Sequence, residues 1–402
     1  MRSKKGSFTI FVTLAFSAVL IMVSAVLWAS GQRAVSSSCQ SLGRLWGRSI
    51  LAEFDITLKE RYGLFGFYGN ELMVEEKLDF YAMETFGSKK YIDYSGSVCS
   101  LEGYALTDAE VFRKQVGEAV LSGTVPVPQI KEDAGDASLT VPRRITSQWI
   151  LRGLPSGGRS GGVSVFSLIE KLKSDMNIQG VAGNAAVDTY IFRFFKDYMD
   201  DRELGDTYLS CEAEYILSGK PDDEKSVKNT QNTIVALRNG LNLIYLYSSA
   251  EKSGAAMAAA EAITPGPAAI ATQALILETW AYLEAKNDLK ILCDGKSVAC
   301  FKDDSNWALS LENALMAYEG KEDEDDSGYV KPQNMSGIEY EDYLRILMGA
   351  MPENLKILRV MDLIQINMKY LCYDSFLLED YYSGLDFSFE VNGKKHEFKE
   401  EY

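Results

Sequence analysis

The sequence contains almost no histidine, and this scarcity limits the chemistry that the chain can support. One histidine, His396, occurs among 402 residues. Catalytic triads, zinc sites with several histidines and most proton shuttles require an imidazole at a defined position. Because His396 lies between charged residues close to the C-terminus, we interpret it as a surface residue. The scarcity of histidine therefore predicts that the protein is not an enzyme.

The sequence also lacks the basic excess that nucleic-acid binding requires. It has 41 Lys and Arg residues against 57 Asp and Glu residues, which gives a formal net charge of −16. A protein that binds the phosphate backbone needs a basic face, so we expect no nucleic-acid partner. A hydrophobic fraction of 47% is sufficient for a buried core and excludes wholesale disorder.

Charge is also absent from a long segment near the N-terminus. A basic leader (residues 1–7) precedes an almost wholly apolar stretch, residues 8–29. As a helix this stretch would span about 33 Å, which matches the ~30 Å hydrocarbon layer of a membrane. The alternative is a cleaved secretory signal, but the apolar region of such a signal is usually ~7–15 residues long. The stretch therefore predicts a transmembrane helix in contact with membrane lipid.

The positions of the basic residues predict the orientation of this helix. The charged residues before the apolar stretch are Arg2, Lys4 and Lys5, and all three are positive. The N-terminus is therefore expected in the cytoplasm and the bulk of the chain outside the cell. A second uncharged stretch, residues 262–277, is shorter and is interrupted by Pro265-Gly266-Pro267. We therefore predict a single-pass protein of the cell membrane.

The residues that follow the span predict an amphipathic extension of the same helix. Residues 30–62 contain no proline, and large apolar side chains recur there every four residues. This packing stripe consists of Leu42, Trp46, Ile50 and Phe54. Because exposed apolar side chains of this size are costly in water, we expect the stripe to pack on the ectodomain or on a partner helix. Gly43 and Gly47 could bend the helix or allow close contact with another helix.

The remaining chain predicts an α+β fold that is mainly helical. We divide it into an α+β segment (63–121), a flexible Gly-, Pro- and Ser-rich loop (122–162), a helical ectodomain core (163–378) with an acidic loop (320–337), and a C-terminal β-hairpin (379–402). Alternation of apolar and polar residues predicts a strand within 91–106. Asn392-Gly393, between two alternating runs, is typical of a two-residue hairpin turn.

The six cysteines and the acidic loop provide weak candidates for special sites. Cys293 and Cys300 flank an Asp-Gly turn and are close enough in sequence for a local disulfide, although free buried thiols remain the alternative. The acidic loop resembles a calcium-binding loop at some positions only. Asp323, Asp325 and Ser327 match its first ligand positions, but Asn334 stands where a bidentate Glu is required. We interpret this loop as solvated and expect no metal ion or cofactor.

Several segments of the sequence resemble those of an uncharacterised protein family of Gram-positive bacteria, which is encoded with tight-adherence (Tad, Flp-type) pilus genes. The segments are SILAEFDITLKERYGLFGF (49–67), LEGYALTDAEVFRKQV (101–116), CEAEYILSGK (211–220), RNGLNLIYLYSSAEK (238–252), ETWAYLEAKNDLKILCDGKSVACFK (278–302) and GIEYEDYLRILMGAMPENLKILRVMDLIQINM (337–368). The N-terminal KGSFTIFVTLAF is similar to the apolar segment of TadE/TadG-like pseudopilins.

This resemblance implies a membrane-anchored structural or assembly component of the pilus system. Its partners would be other pilus or pseudopilin subunits, and it would act on no small-molecule substrate. Gly6 would be the processing site, but Phe11 stands at the fifth position after it, where Flp-type subunits carry Glu. The resemblance therefore favours a minor, pseudopilin-like subunit over a major filament subunit. The alternative is a membrane-anchored ligand-binding or sensing ectodomain, with a pocket among the helices of residues 164–378.

Overall fold

The computed structural model of the protein describes residues 5–126, 152–159, 161–175, 186–200, 202, 206–320 and 337–402. The described helices are α1 (Lys5–Leu51), α2 (Ile56–Tyr62), α3 (Glu71–Phe86), α4 (Ala109–Leu121), α5 (Val165–Asp175), α6 (Ala186–Phe194), α7 (Glu212–Ser218), α8 (Asp223–Ser248), α9 (Ala250–Ile263), α10 (Ala269–Cys293), α11 (Leu311–Tyr318), α12 (Tyr340–Ala350) and α13 (Glu353–Leu371). The described strands are β1 (Phe67–Tyr68), β2 (Tyr94–Ser100), β3 (Tyr381–Tyr382), β4 (Gly384–Val391) and β5 (Lys394–Glu401). The prediction of a mainly helical α+β protein is confirmed.

The chain forms two compact units, and each is built from separate segments. The sheet unit comprises Met1–Ile56, Phe65–Leu106 and Glu379–Tyr402. The helical unit comprises Thr57–Leu64 and Thr107–Leu378. The C-terminal hairpin therefore belongs with the N-terminal helix, although the two are at opposite ends of the sequence. The middle of the predicted flexible loop and most of the predicted acidic loop lie outside the described residues.

The sheet unit is organised around a three-stranded antiparallel sheet. Its strands follow the order β2-β4-β5, and β1 and β3 form a separate antiparallel pair. The hairpin between β4 and β5 turns at Asn392 (φ 52°) and Gly393 (φ 73°). Both residues have positive φ, which the tightest hairpin turns require. The helices α1 and α3 pack on the sheet around a cluster of buried aromatic and aliphatic side chains.

The first helix ends earlier than the sequence predicts. We expected one helix to continue through residues 30–62, but α1 ends at Leu51 and the chain turns at residues 52–53. Beyond this turn, Phe54 forms an antiparallel bridge with Phe67, and the amide of Asp55 donates to the carbonyl of Gly66 (2.9 Å). Because these backbone groups pair with a strand, they are not available to extend the helix.

The helical unit has a buried core in which several polar side chains are also enclosed. The longest helices, α8 and α10, pack on each other, and α9 and α11 contact α10. Part of the predicted flexible loop belongs to this unit and is held in place. The amide of Ser156, a buried residue, donates to Asp362 (2.9 Å), and Arg359 donates to the carbonyl of Gly161 (2.9 Å). The described portion of this loop is therefore irregular but anchored on α13.

Candidate functional site

The N-terminal half of α1 is apolar and exposed along its length. Within the described part of the chain, α1 is the one helix that is long and apolar enough to span a membrane, and none of its most apolar 18-residue window is buried. Phe8 and Trp28, near the two ends of the predicted span, are 71% and 70% exposed. Gly6 lies in the first turn of this helix. Side chains of this kind, left unburied by the fold, are suited to contact with lipid.

The C-terminal half of α1 is part of the core of the sheet unit. Burial begins near Val35, which is half-buried, and Cys39 is completely buried. Burial raises the pKa of the Cys39 thiol, against the opposing effect of Lys394, so this cysteine is a packing residue and not a reactive thiolate. One continuous helix thus passes from exposed apolar residues to residues that the sheet covers.

The packing stripe occupies this contact in part. Trp46 and Ile50 are buried, and Leu42 is half-buried against the same cluster. The Trp46 ring lies 5.1 Å from the ring of Phe389 and 5.7 Å from that of Phe86, measured between centroids. Phe54 lies beyond the end of the helix and is half-buried beside Phe65 and Tyr402. The structure therefore brings three of the four residues together on α1.

Two glycines allow the sheet to approach α1 closely. A β-carbon added to Gly43 would lie 2.2–2.5 Å from the Phe398 ring. A β-carbon added to Gly47 would lie 2.8 Å from Cγ of Glu400 and 3.0 Å from the ring of Phe387. Gly43 and Gly47 are four residues apart and therefore share one face of the helix. That face contacts a sheet, whereas the sequence suggested contact with another helix or a bend.

His396 is buried, so the prediction of a surface histidine is wrong. It pairs with Phe389 across the hairpin, and its side chain points to the covered face of the sheet, with a relative exposure of 2%. Its Nδ1 lies 3.5 Å from Nε2 of Gln40 on α1. Burial and the charge of Lys394 lower the pKa of His396. The alternation of β5 places this residue inward, which the local charge pattern did not indicate.

The remaining site predictions concern a local disulfide and a calcium-binding loop. Cys293 and Cys300 are free thiols in the structure. The Cys293 sulfur lies 3.5 Å from Nε2 of Gln231, and the Cys300 carbonyl accepts from Arg238 (2.7 Å). Burial raises the pKa of both thiols. The calcium-loop candidates Asp323, Asp325, Ser327 and Asn334 lie outside the described residues.

The helical unit contains an acidic cleft that the sequence analysis missed. The cleft has a volume of about 360 Å³. Its polar lining includes Asp197, Asp200, Arg202, Glu339, Tyr340 and Glu341. Arg202 is paired with Asp200 and Arg345 with Glu341, so Asp197 and Glu339 are the lining carboxylates with no ion pair among the described residues, and they leave the cleft negative. Asp197 is buried, and burial, together with the nearby Asp200 and Glu341, raises its pKa to about 6.

A second buried carboxylate, Glu214, adjoins this cleft through Tyr340. Oε1 of Glu214 accepts from the Tyr340 hydroxyl (3.0 Å) and from the amide of Tyr198 (3.0 Å). Its Oε2 has no hydrogen-bond partner among the described residues. Burial, with a contribution from Asp197, raises the pKa of Glu214 to about 8. The one sequence signal for this site is that two acidic residues, Glu212 and Glu214, lie within the otherwise mainly apolar segment CEAEYIL.

An ionic network is enclosed deeper in the helical unit. Arg238 donates to Oδ2 of Asp288 through Nε (2.9 Å) and Nη2 (2.8 Å), and both side chains are inaccessible to solvent. Lys302 lies 2.6 Å from Oδ1 of Asp288 and also pairs with Glu284. Glu284 in turn accepts from the amide of Leu309 (2.9 Å). Every charge has an opposite partner here, so the network holds the segment after α10 in place and offers no open coordination position.

The comparisons with known proteins define the family of the chain and leave its activity open. Residues 142–393, more than half of the chain, match the model of a family of unknown function, DUF5702. The matched segment includes α5 to α13 and β4 but neither α1 nor β5. No curated protein and no solved structure matches the chain. Because the family model covers most of its length, the chain belongs to the DUF5702 family of unknown function.

Proposed function

We propose that the protein is a membrane-anchored, extracytoplasmic structural or assembly component of a tight-adherence-type pilus system, similar to a minor pseudopilin. The observation that carries the proposal is the continuity of α1. The helix has 47 residues and is about 70 Å long at 1.5 Å per residue. Its first half exposes apolar side chains, and its second half is covered by the sheet.

A simple membrane anchor would not need this arrangement. An anchor requires only an apolar span, and any polar tether could connect the span to a folded ectodomain. Here the residues beyond the span, such as Trp46 and Ile50, are core residues of the sheet unit. Each large apolar side chain buried in this way contributes about 1.5–3 kcal/mol. The anchor and the fold are therefore one element, which is the arrangement expected of a pilin-like subunit.

The orientation and the pilus partner rest on the sequence. The positive leader that precedes the span favours a cytoplasmic N-terminus, with both compact units outside the cell. The resemblance of the N-terminal segment to TadE/TadG-like pseudopilins supports other pilus subunits as partners. The absence of Glu at position 11, where Phe11 stands, favours a minor or membrane-retained subunit.

The proposal can be tested by cross-linking from the exposed side of α1. Leu45 is 59% exposed although it lies in the covered half of the helix, whereas Leu121, at the end of α4, is 88% exposed in the helical unit. A photo-reactive residue at position 45 should capture another pilus subunit in intact cells, and the same residue at position 121 should not. Equal yields from both positions, or none from position 45, would contradict the proposal.

The acidic cleft favours a second candidate function, a membrane-anchored ligand-binding or sensing ectodomain. Its unbalanced carboxylates would favour a small cationic ligand such as an organic amine. In this case, small amines should raise the melting temperature of the wild type, and Asp197→Asn should remove that increase. The protein should also remain with the membrane when pili are sheared from the cells, which separates this function from the first.

A further inference from the structure

The strand β5 runs along the covered half of α1 in the same direction as the helix. The contacts between them, in order along the helix, are Ser36 with Lys394, Gln40 with His396, Gly43 with Phe398 and Gly47 with Glu400. These steps match because two residues of a strand advance about 6.6 Å and four residues of a helix advance about 6.0 Å. The start of β5 is therefore the end of this strand that lies nearest the apolar span.

The turn between β4 and β5 lies closer to the span than any of these contacts. Nζ of Lys394 donates to Oγ of Ser36 (2.8 Å), so the preceding residues, Asn392-Gly393, are about level with residues 32–34 of α1. Residue 33 lies about 6 Å beyond the end of the predicted span at residue 29. The headgroup region on each side of a bilayer is about 5–8 Å thick. The turn therefore lies at headgroup height when residues 8–29 cross a membrane.

The loop between α3 and β2 is fixed to this turn by hydrogen bonds. The amide of Asn392 donates to the carbonyl of Asp93 (2.8 Å), and the amide of Asp93 donates to Oδ1 of Asn392 (2.8 Å). Nδ2 of Asn392 also donates to the carbonyl of Tyr91 (3.3 Å). The Tyr91 side chain is nevertheless 68% exposed. The loop thus presents, at the height of the turn, a side chain of the type that is enriched at the membrane–water interface.

The end of the sheet unit nearest the span is basic, although the whole protein has a net charge of −16. We use the term basic end for its cationic residues, none of which is buried: Arg33, Lys89, Lys90, Lys394 and Lys395. Lys395 pairs with Glu397 (2.7 Å), whereas the other four have no ion pair among the described residues. Within residues 30–38, 87–94 and 390–397, these cations stand against three acidic residues, Asp93, Glu390 and Glu397. The charge of this end is therefore positive.

We infer that the basic end lies in the headgroup region of the membrane that α1 spans, where it binds the phosphate groups of anionic phospholipids. Lipid phosphate is the partner that fits, because unpaired cations lie at headgroup height beside an exposed tyrosine, and Lys and Arg near an anionic surface favour binding to it. The inference rests on the membrane anchoring in the proposed function. It depends neither on the pilus partner nor on the side of the membrane on which the sheet unit lies.

Photo-cross-linking to lipid tests the height of the basic end. Full-length protein is placed in nanodiscs that contain phosphatidylglycerol and phosphatidylcholine in equal amounts, and a photo-reactive residue replaces Tyr91 or, as a control, Tyr68. Tyr68 has a similar exposure of 57%, but it lies beyond the far end of α1, where the adjacent Phe67 pairs with Phe54. Mass spectrometry should find lipid adducts at position 91 and none at position 68.

The identity of the captured lipid tests the role of charge. Position 91 should capture phosphatidylglycerol at least ~5-fold more often than phosphatidylcholine, the factor expected from one cation near an anionic surface. The variant Lys90→Gln with Lys394→Gln should lose most of this preference. The control variant Lys77→Gln with Lys399→Gln loses the same charge farther from the span and should keep it. About 1 M salt should also lower the preference of the wild type, because exposed charges are then screened.

Several outcomes would overturn the inference. They are an absence of lipid adducts at position 91, equal yields at positions 91 and 68, equal capture of the two lipids, and equal losses in the two lysine variants. A protein that alkaline carbonate extracts from the bilayer would overturn the membrane anchoring as well. A protein that stays in the bilayer without an adduct at position 91 would overturn this inference alone. If the lysine variant does not fold, the salt dependence of the wild type replaces it, and a preference unchanged by salt overturns the inference.

Discussion

At Gly43, the close approach of the sheet to α1 leaves no room for a side chain. In an exposed helix, alanine would be favoured over glycine by about 1 kcal/mol. At position 43, however, the new methyl group would lie 2.2–2.5 Å from the ring of Phe398. That ring is stacked between Phe387 and Phe389, at centroid distances of 5.0 and 5.3 Å, and cannot easily move. We expect Gly43→Ala to destabilise the sheet unit by about 1–3 kcal/mol.

Gly31 provides a matched control on the same helix. A β-carbon added there would have no neighbour within 4 Å. Gly31→Ala should therefore leave the stability unchanged or raise it slightly, as helix propensity predicts. Protection of the β4 and β5 amides from hydrogen exchange would report the difference. Equal effects of the two substitutions would show that α1 does not approach the sheet as closely as described.

Glu214 should make the stability of the helical unit depend on pH. Burial raises its pKa in the folded protein to about 8, above the ordinary value of 4.5. Between these two values the folded state holds a proton that the unfolded chain has released, so the free energy of unfolding falls as pH rises. The shifts of Asp197, to about 6, and Glu212, to about 7, act in the same direction. We expect lower stability at pH 8 than at pH 5.5.

The substitution Glu214→Gln should reduce this pH dependence. The glutamine retains an oxygen that can accept from Tyr198 and Tyr340 but carries no charge at any pH. We expect it to stabilise the protein at pH 8 by roughly 1–3 kcal/mol relative to the wild type, with little effect at pH 5.5. Urea unfolding followed by circular dichroism at both values measures this. The exposed Glu170→Gln variant is the control, and a similar response from both variants would contradict the assignment.

At the scale of secondary-structure elements, local patterns were sufficient for some predictions. The apolar run and its four-residue repeat predicted a helix through the span and the first part of the extension, and Asn392-Gly393 predicted the terminal hairpin. Both predictions, of the helix and of the hairpin, depend on residues that are close in sequence. The end of α1 at Leu51 could not be predicted this way, because it depends on the pairing of Phe54 with Phe67.

The elements that carry the candidate sites depend on contacts between distant residues. The acidic cleft combines Asp197 with Glu341, which are far apart in the sequence. The buried pair Arg238 and Asp288 are 50 residues apart. In each case the local sequence shows only a charged residue among apolar neighbours, and such a residue is ordinarily exposed. The partner that makes burial possible becomes visible only when the helices are packed.

The contact between α3 and β2 is an intermediate case. Backbone amides along the strand donate to acidic side chains of the helix, from Ser97 to Asp79, from Cys99 to Glu75 and from Leu101 to Glu71. Each of the two elements has a regular sequence pattern, since acidic residues recur every four positions in α3 and the β2 sequence is free of charge. The loop between them is short, so contact between the two elements could have been expected. The pattern alone does not show whether the acids face the strand or the solvent. The side-chain directions decide this, and they require the structure.

At the scale of the whole molecule, the family match and the division into units do not coincide. The match over residues 142–393 includes most of the helical unit and ends inside the hairpin turn of the sheet unit. It therefore describes the part of the chain that contains the acidic cleft and the ionic network. The proposed membrane function rests on α1, which lies outside the match. The two parts can be separated experimentally.

Two truncations test whether α1 is both an anchor and a core element. A protein that begins at Ala34 loses the span but keeps Cys39, Trp46 and Ile50. Because none of the most apolar window of α1 is buried, we expect this protein to be soluble without detergent. The amides of β4 and β5 should be protected from hydrogen exchange as in the full chain.

A protein that begins at Glu53 should behave differently in one unit only. It lacks the α1 residues that cover Phe387, Phe389 and Phe398, and losing a buried tryptophan alone costs about 3–5 kcal/mol. The β4 and β5 amides should therefore lose protection, whereas α8 and α10, whose core contains no α1 residue, should retain it. If β4 and β5 stay protected, α1 is only an anchor attached to an independent fold, and the pilin-like interpretation loses its structural support. If α8 and α10 unfold as well, the two units are not independent in stability.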